Sequence, residues 1–118
     1  MRRAARISAK GKPKPINEAR FTKQVIQLSR VLGWRSAHFR AAQTAHGWRT
    51  PVQGDGKGFP DLILLKGTRL VVAELKADKA PKPRPEQEDW LVAFRCLPGA
   101  EVFIWRPADF EDIAKILR

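Results

Sequence analysis

Residues 58–76, GFPDLILLKGTRLVVAELK, constrain the fold more than any other stretch of this 118-residue chain. Two short apolar runs flank Gly67-Thr68, with charged residues at their ends. A Gly-X pair suits a two-residue hairpin loop with positive φ at its first position. Counting outward from that turn sets Lys66 opposite Arg69, Leu64 opposite Val71, and Asp61 opposite Glu74. Directly opposed side chains in an antiparallel pair have Cβ atoms roughly 4.5–5.5 Å apart. Alternation along the strand puts Lys76 on the same face as Glu74. The hairpin therefore brings two carboxylates and one ammonium to one edge of an otherwise apolar element.

Like charges directly opposed repel, and a divalent cation removes the repulsion. Mg²⁺ is typically held by one or two carboxylates, its other positions going to water and substrate phosphate. Such an ion acidifies a bound water and offsets charge on a phosphoryl oxygen. Lys76 adds a fixed cation able to orient the attacking water or stabilise a pentacovalent phosphorus. The chemistry implied is metal-assisted hydrolysis of a phosphodiester. A Glu-x-Lys triplet alone is common, and a surface salt bridge is the plain alternative. Two features weigh against that alternative: the triplet ends a run of strand formers, and Pro60-Asp61 opens the paired strand in matching register.

Gly58-Phe59-Pro60-Asp61-Leu62, then Glu74-Leu75-Lys76, then Gln87 and Trp90, resemble the PD-(D/E)XK nuclease superfamily. Within it they look most like the small stand-alone virus-type replication-repair nuclease (VRR-NUC) domain of phage-like proteins. The likeness spans about residues 17–117. It implies a restriction-endonuclease-like αβββαβ core, α/β in class, with a mixed four-stranded sheet flanked by helices. By similarity Asp61, Glu74 and the backbone carbonyl of Leu75 are metal ligands, Lys76 is the catalytic lysine, and Gln87 belongs to the site. The resemblance also suggests Glu18 as a further metal ligand, a homodimer, and a role in repair, recombination or phage replication, including resolution of Holliday junctions.

The chain is long enough for one domain and no more. Its net charge of +11 and pI near 10.7 point to a polyanionic partner, most simply nucleic acid. A membrane surface is the competing partner, but neither terminus has a basic amphipathic helix with a strong apolar face. No apolar run approaches the roughly 18 residues of a membrane span. A single cysteine, Cys96, excludes an internal disulfide framework and fits a reducing cytoplasm. Zinc is disfavoured, because two histidines and one cysteine cannot build its usual ligand set.

Residues 1–15 carry six basic residues and no acid, with Gly11, Pro13 and Pro15 interspersed. This segment is expected to be a disordered basic arm, either binding phosphate non-specifically or simply solvated. The remaining domain, residues 16–118, still carries +5, the +11 less those six charges. Asn17 is expected to cap a helix from Glu18, with Phe21, Val25, Leu28 and Leu32 as its buried stripe and Gly33 at its end. Glu18 has two readings: a first-turn carboxylate favoured by the helix dipole, or a group reaching the metal site.

Residues 34–42 are expected to hold the first strand, with His38 either hydrogen-bonded in place or near the site. A long loop is expected from about Gln43 to Phe59, of the kind that is functional or disordered. Arg40 in the strand segment, and Arg49 and Lys57 in the loop, suit phosphates, and Trp48 stacks on an unpaired base or covers the core edge. GDGKG lacks the following Lys-Ser/Thr of a P-loop. Residues 78–85, DKAPKPRP, make a proline-rich connector placing Lys79, Lys82 and Arg84 beside the carboxylate edge.

A helix follows from Pro85, its buried stripe formed by Trp90, Leu91, Phe94 and Leu97. Gln87 lies on that stripe and requires a hydrogen-bonding partner. A strand at Glu101–Trp105 and a helix opened by Pro107 complete the chain. Strand, helix, strand at this length implies a parallel crossover.

The expected function is a Mg²⁺-dependent DNA endonuclease, with Mn²⁺ substituting, acting in the cytoplasm without a small-molecule substrate. The alternative is a catalytically inactive nucleic-acid-binding module on the same fold.

Overall fold

The computed structural model describes residues 16–39, 42–44, 47–49 and 52–118. Helix α1 runs Glu18–Val31, and strand β1 follows at Arg35–His38. Strands β2 (Ala42–Thr44) and β3 (Gly47–Arg49) form a separate antiparallel pair. Then come β4 (Leu62–Lys66), β5 (Arg69–Leu75), helix α2 (Pro85–Arg95) and β6 (Ala100–Trp105). A 3₁₀ turn at Pro107–Asp109 leads into α3 (Phe110–Leu117).

The main sheet has the order β1-β4-β5-β6. Its first two junctions are antiparallel, and β5–β6 is parallel, with α2 in the crossover. This is the mixed four-stranded α/β sheet flanked by helices that the sequence predicts. The hairpin register is also as predicted: Lys66 pairs with Arg69, Leu64 with Val71 and Leu62 with Ala73. Gly67 takes a φ of 59°, the left-handed conformation that the two-residue loop demands.

Alternation along the hairpin sorts its side chains onto two faces. Leu62, Leu64, Val71, Ala73 and Leu75 pack with Phe21 and Val25 of α1 and with Ile113 and Leu117 of α3. Burying a side chain of this size contributes roughly 1.5–3 kcal/mol, so this cluster dominates stability. Asn17 caps α1 by accepting from the Arg20 amide at 2.8 Å. Gly33, at φ 90°, turns the chain after the helix. Trp34 is buried in the same cluster and donates from Nε1 to the Leu117 carbonyl at 2.7 Å. Arg69 lies over the Trp34 ring at 4.9 Å and chelates Glu101 at 2.9 and 2.7 Å. The turn end of the hairpin is thereby tied to the C-terminal helix, leaving its other end for chemistry.

The first strand does lie within residues 34–42, at Arg35–His38, and the Phe39 amide extends its pairing with β4 by donating to the Asp61 carbonyl at 2.8 Å. Other expectations need correction. The region expected to be one long loop contains the β2–β3 pair, whose backbones satisfy one another locally. Leu97 is 52% exposed, since α2 has already ended at Arg95 and Cys96 caps it. Among the described residues, no helix is long and apolar enough to cross a membrane. Arg40, His46 and the basic segment 1–15 lie outside the described residues. Trp48 and Arg49 fall on β3, but their side chains lie outside what is described.

Candidate active site

The open end of the β4–β5 hairpin gathers the predicted charged groups. Asp61 directly precedes β4, Glu74 is the penultimate residue of β5, and Lys76 directly follows that strand. Each carboxylate accepts from a backbone amide of the facing chain segment. The Leu75 amide donates to Asp61 Oδ2 at 2.8 Å, and the Asp61 amide donates to Glu74 Oε1 at 3.2 Å. These bonds fix both side chains in place.

Gln87, on the first turn of α2, supplies the third side of the site. Its Nε2 donates to Glu74 Oε2 at 2.5 Å, while its Oε1 accepts from Lys76 Nζ at 3.3 Å. The same Oε1 accepts from the Arg84 amide at 2.9 Å, anchoring the start of the helix. The sequence predicts an active-site partner for Gln87, expected through a water or a phosphate. The partner is instead the carboxylate itself. Because Glu74 shares its sheet face with Val72, this bond also sets α2 on the face opposite α1 and α3.

Lys76 Nζ lies 3.8 Å from Glu74 Oε2, a charge contact rather than a hydrogen bond. Its amide donates to the Trp105 carbonyl at 2.9 Å, which extends the β5–β6 pairing by one residue.

Burial decides the electrostatics. Glu74 is only 1% exposed. Loss of solvent, and then the charge of Asp61, push its pKa from 4.5 up to about 8, while Lys76 opposes the shift. The Asp61 carboxyl is also raised, first by burial. It is held back by the Leu75 amide, by a hydrogen bond with Glu74, and by the charges of His38 and Lys76. Burial thus disfavours ionising both carboxyls of the pair at once.

Glu18, in the first turn of α1, is exposed but lies within electrostatic reach of this pair. Burial and then the Asp61 charge raise its pKa, and Lys76 lowers it. Among the described residues, no three His, Cys, Asp or Glu side chains are gathered closely enough to form a metal-holding group. Asp61 and Glu74 are joined through hydrogen bonds, and Glu18 meets Asp61 and Lys76 through its charge.

Lys57, Lys79, Lys82 and Arg84 are all exposed, on the segments that precede β4 and follow β5. Arg84 is bound through its amide to Gln87 and through Nε to Glu86 at 3.4 Å.

Two contributors escape sequence reasoning or are underweighted by it. His38 ends β1 beside the Asp61 segment, and its charge acts on Asp61. Strand position alone suggests a histidine merely satisfied in place. Arg106 has no motif to mark it. Its Nη1 donates to the carbonyls of Ala77, Asp78 and Ala80 at 2.6, 3.3 and 3.0 Å. One guanidinium thus organises the turn that directly follows Lys76. Replacing Arg106 with alanine is expected to cost about 1–3 kcal/mol of stability and to speed exchange of the Ala80 amide, which bonds to the Ala77 carbonyl. Urea titration and amide hydrogen exchange measure the two effects. Unchanged protection at Ala80 would remove Arg106 from this role.

No protein-family model matches the chain, and no curated protein matches it in sequence. The functional argument therefore rests on the geometry of the site.

Proposed function

We propose that this chain is a metal-dependent DNA endonuclease of the PD-(D/E)XK kind, close in type to the stand-alone VRR-NUC nucleases. The observation that carries the proposal is the Asp61–Glu74 pair, joined through Gln87 to the Lys76 ammonium. A purely structural salt bridge has no use for two opposed carboxylates, one of them buried and reluctant to ionise. The donor set suits a hard divalent cation, which takes carboxylate and carbonyl oxygens: two carboxylates and the adjacent Leu75 carbonyl. When bound, Mg²⁺ or Mn²⁺ would supply Lewis acidity and offset charge on the phosphate.

The protein's own residues do the rest. Asp61 and Glu74 would hold the ion, while Gln87 fixes the rotamer of Glu74 and the direction of the Lys76 ammonium. Lys76 presents a fixed positive charge to the phosphate as negative charge develops there. Glu18 and His38 adjust the charge state of the pair from its margin. Lys57, Lys79, Lys82 and Arg84 would track the DNA backbone, consistent with the net charge of +11.

A branched substrate such as a four-way junction, and the homodimer needed to cut it symmetrically, belong to the same proposal. So does a reducing, cytoplasmic setting, which suits the exposed free Cys96.

The test is cleavage of labelled single-stranded, duplex, flap and four-way-junction DNA with Mg²⁺, with Mn²⁺ and with EDTA. Cutting that requires metal is the expected result, and the preferred substrate defines the biological task. Binding to all four DNAs with no cutting under any condition would replace the enzyme with an inactive DNA-binding module.

A further inference from the structure

A second feature lies one helix face away from Gln87. Glu86, Asp89, Trp90 and Ala93 recur at turn spacing along α2 and line an open cleft of about 570 Å³, bounded on its other side by Asp55 and Lys57. Its volume is in the usual range for a small-ligand site.

The walls of the cleft are fixed by specific contacts. Gly58 has a φ of 83°, and a Cβ there would fall 2.6 Å from the Glu86 carbonyl carbon and 2.8 Å from the Gln87 nitrogen. Only glycine lets the loop lie this close to the first turn of α2. The Phe59 amide closes the loop on the Gly56 carbonyl at 3.0 Å. The indole of Trp90 donates from Nε1 to the Asp55 carbonyl at 3.0 Å. Phe59 meets the Trp90 ring edge-on at 4.9 Å, and Phe94 flanks it at 6.1 Å. Trp90 is therefore a held aromatic surface, half-buried, at the side of a cleft.

The charge of the cleft opposes that of the whole chain. Three carboxylates and one ammonium line it, in a protein of net charge +11. A phosphate group is disfavoured among those carboxylates. They are not gathered into a metal-holding group either. A planar, neutral group rich in hydrogen-bond donors satisfies both features: its ring stacks on Trp90 and its amino group donates to a carboxylate.

We propose that this cleft takes an unpaired nucleobase bearing an exocyclic amino group, cytosine or adenine rather than thymine. The base stacks on Trp90 and donates to Asp89 or Glu86, while Lys57 meets the adjoining phosphate. Glu86 is partly engaged by Arg84 at 3.4 Å, so Asp89 is the principal acceptor. This extends the proposed nuclease function and rests on its DNA-binding part. It would give the enzyme a preference for strands with an extruded or single-stranded nucleotide beside the cut, because unpairing is the cost such a site imposes.

The experiment measures fluorescence anisotropy of labelled oligo-dC, oligo-dA and oligo-dT of about 12 nucleotides, in EDTA so that the carboxylate pair is idle. Wild type is expected to bind oligo-dC and oligo-dA roughly fivefold or more tighter than oligo-dT, and Trp90→Leu to lose about tenfold on the first two. Asp89→Asn, an exposed change that leaves the aromatic packing alone, is expected to narrow the gap at least about threefold, since an amide also donates to thymine O4. Equal wild-type binding to all three, unaffected by Asp89→Asn, would overturn the base site and leave the nuclease proposal standing. No binding of wild type to any of the three would overturn the base site and leave the nuclease proposal to the duplex and branched substrates.

Discussion

Replacing Lys76 with alanine is expected to slow DNA cleavage at saturating Mg²⁺ by about 10²–10³-fold, with little change in KM. The size of the effect follows from how firmly this ammonium is placed. Its amide is locked to Trp105, and its Nζ sits 3.3 Å from Gln87 Oε1 and 3.8 Å from Glu74 Oε2. The side chain is only 16% exposed, so its charge acts where water screens weakly. A positive charge already in position costs no reorganisation as the phosphate gains negative charge, which is why it contributes to kcat rather than to binding. Arginine is not expected to restore the rate, because its planar fork cannot reproduce a compact point charge on Gln87. Single-turnover cleavage measures the step directly. A Lys76→Ala protein that cuts at the wild-type rate would end the assignment.

The second large effect is on stability, and its sign is the reverse of most active-site losses. Glu74 has a folded-state pKa of about 8 against 4.5 for the free side chain. A carboxyl raised in this way holds its proton more tightly when folded. Its favourable contribution is therefore complete below about pH 4.5 and is lost as pH rises through about 8. Above that range the metal-free protein keeps a buried, ionised Glu74 opposite Asp61, at a cost on the order of a few kcal/mol.

Asp61→Asn removes the opposing charge. Its amide oxygen can still accept from the Leu75 amide, and its NH₂ can donate to Glu74. The variant is expected to be about 1–3 kcal/mol more stable than wild type near pH 8.5 without metal. The advantage should shrink near pH 5, where Glu74 of the wild type holds its proton and no longer repels Asp61. Adding Mg²⁺ should raise the melting temperature of wild type much more than that of Asp61→Asn, because binding stabilises only the protein that holds the ion. Cleavage should be lost in the variant. Melting curves across pH, with and without Mg²⁺, provide the measurement. A variant less stable than wild type near pH 8.5 would mean that the opposed carboxylates are not in conflict.

The contacts that escape a linear reading share one property: their partners are distant in sequence. Gln87 bonds to Glu74, Arg106 gathers carbonyls at 77, 78 and 80, and Trp90 bonds to the Asp55 carbonyl. Periodicity places Gln87 and Trp90 on a helix face without naming what that face meets, and nothing local marks Arg106. The β2–β3 pair is a different kind of case. It is short and lies between segments with stronger signals, so its residues look like loop.

What the amino-acid sequence determined by itself was local: the Gly67-Thr68 turn, the β4–β5 register, the Asn17 cap, and hence the approach of Asp61, Glu74 and Lys76 to one edge. Each depends on backbone conformation and alternation over a few residues, where one wrong step would turn every apolar side chain to the other face. Only the tertiary structure decided the protonation of the pair, the grip of Gln87 on both charges, the reach of Glu18 and His38, and the cleft beside Trp90. These depend on burial and on side chains delivered by separate elements, and packing rather than local propensity sets both.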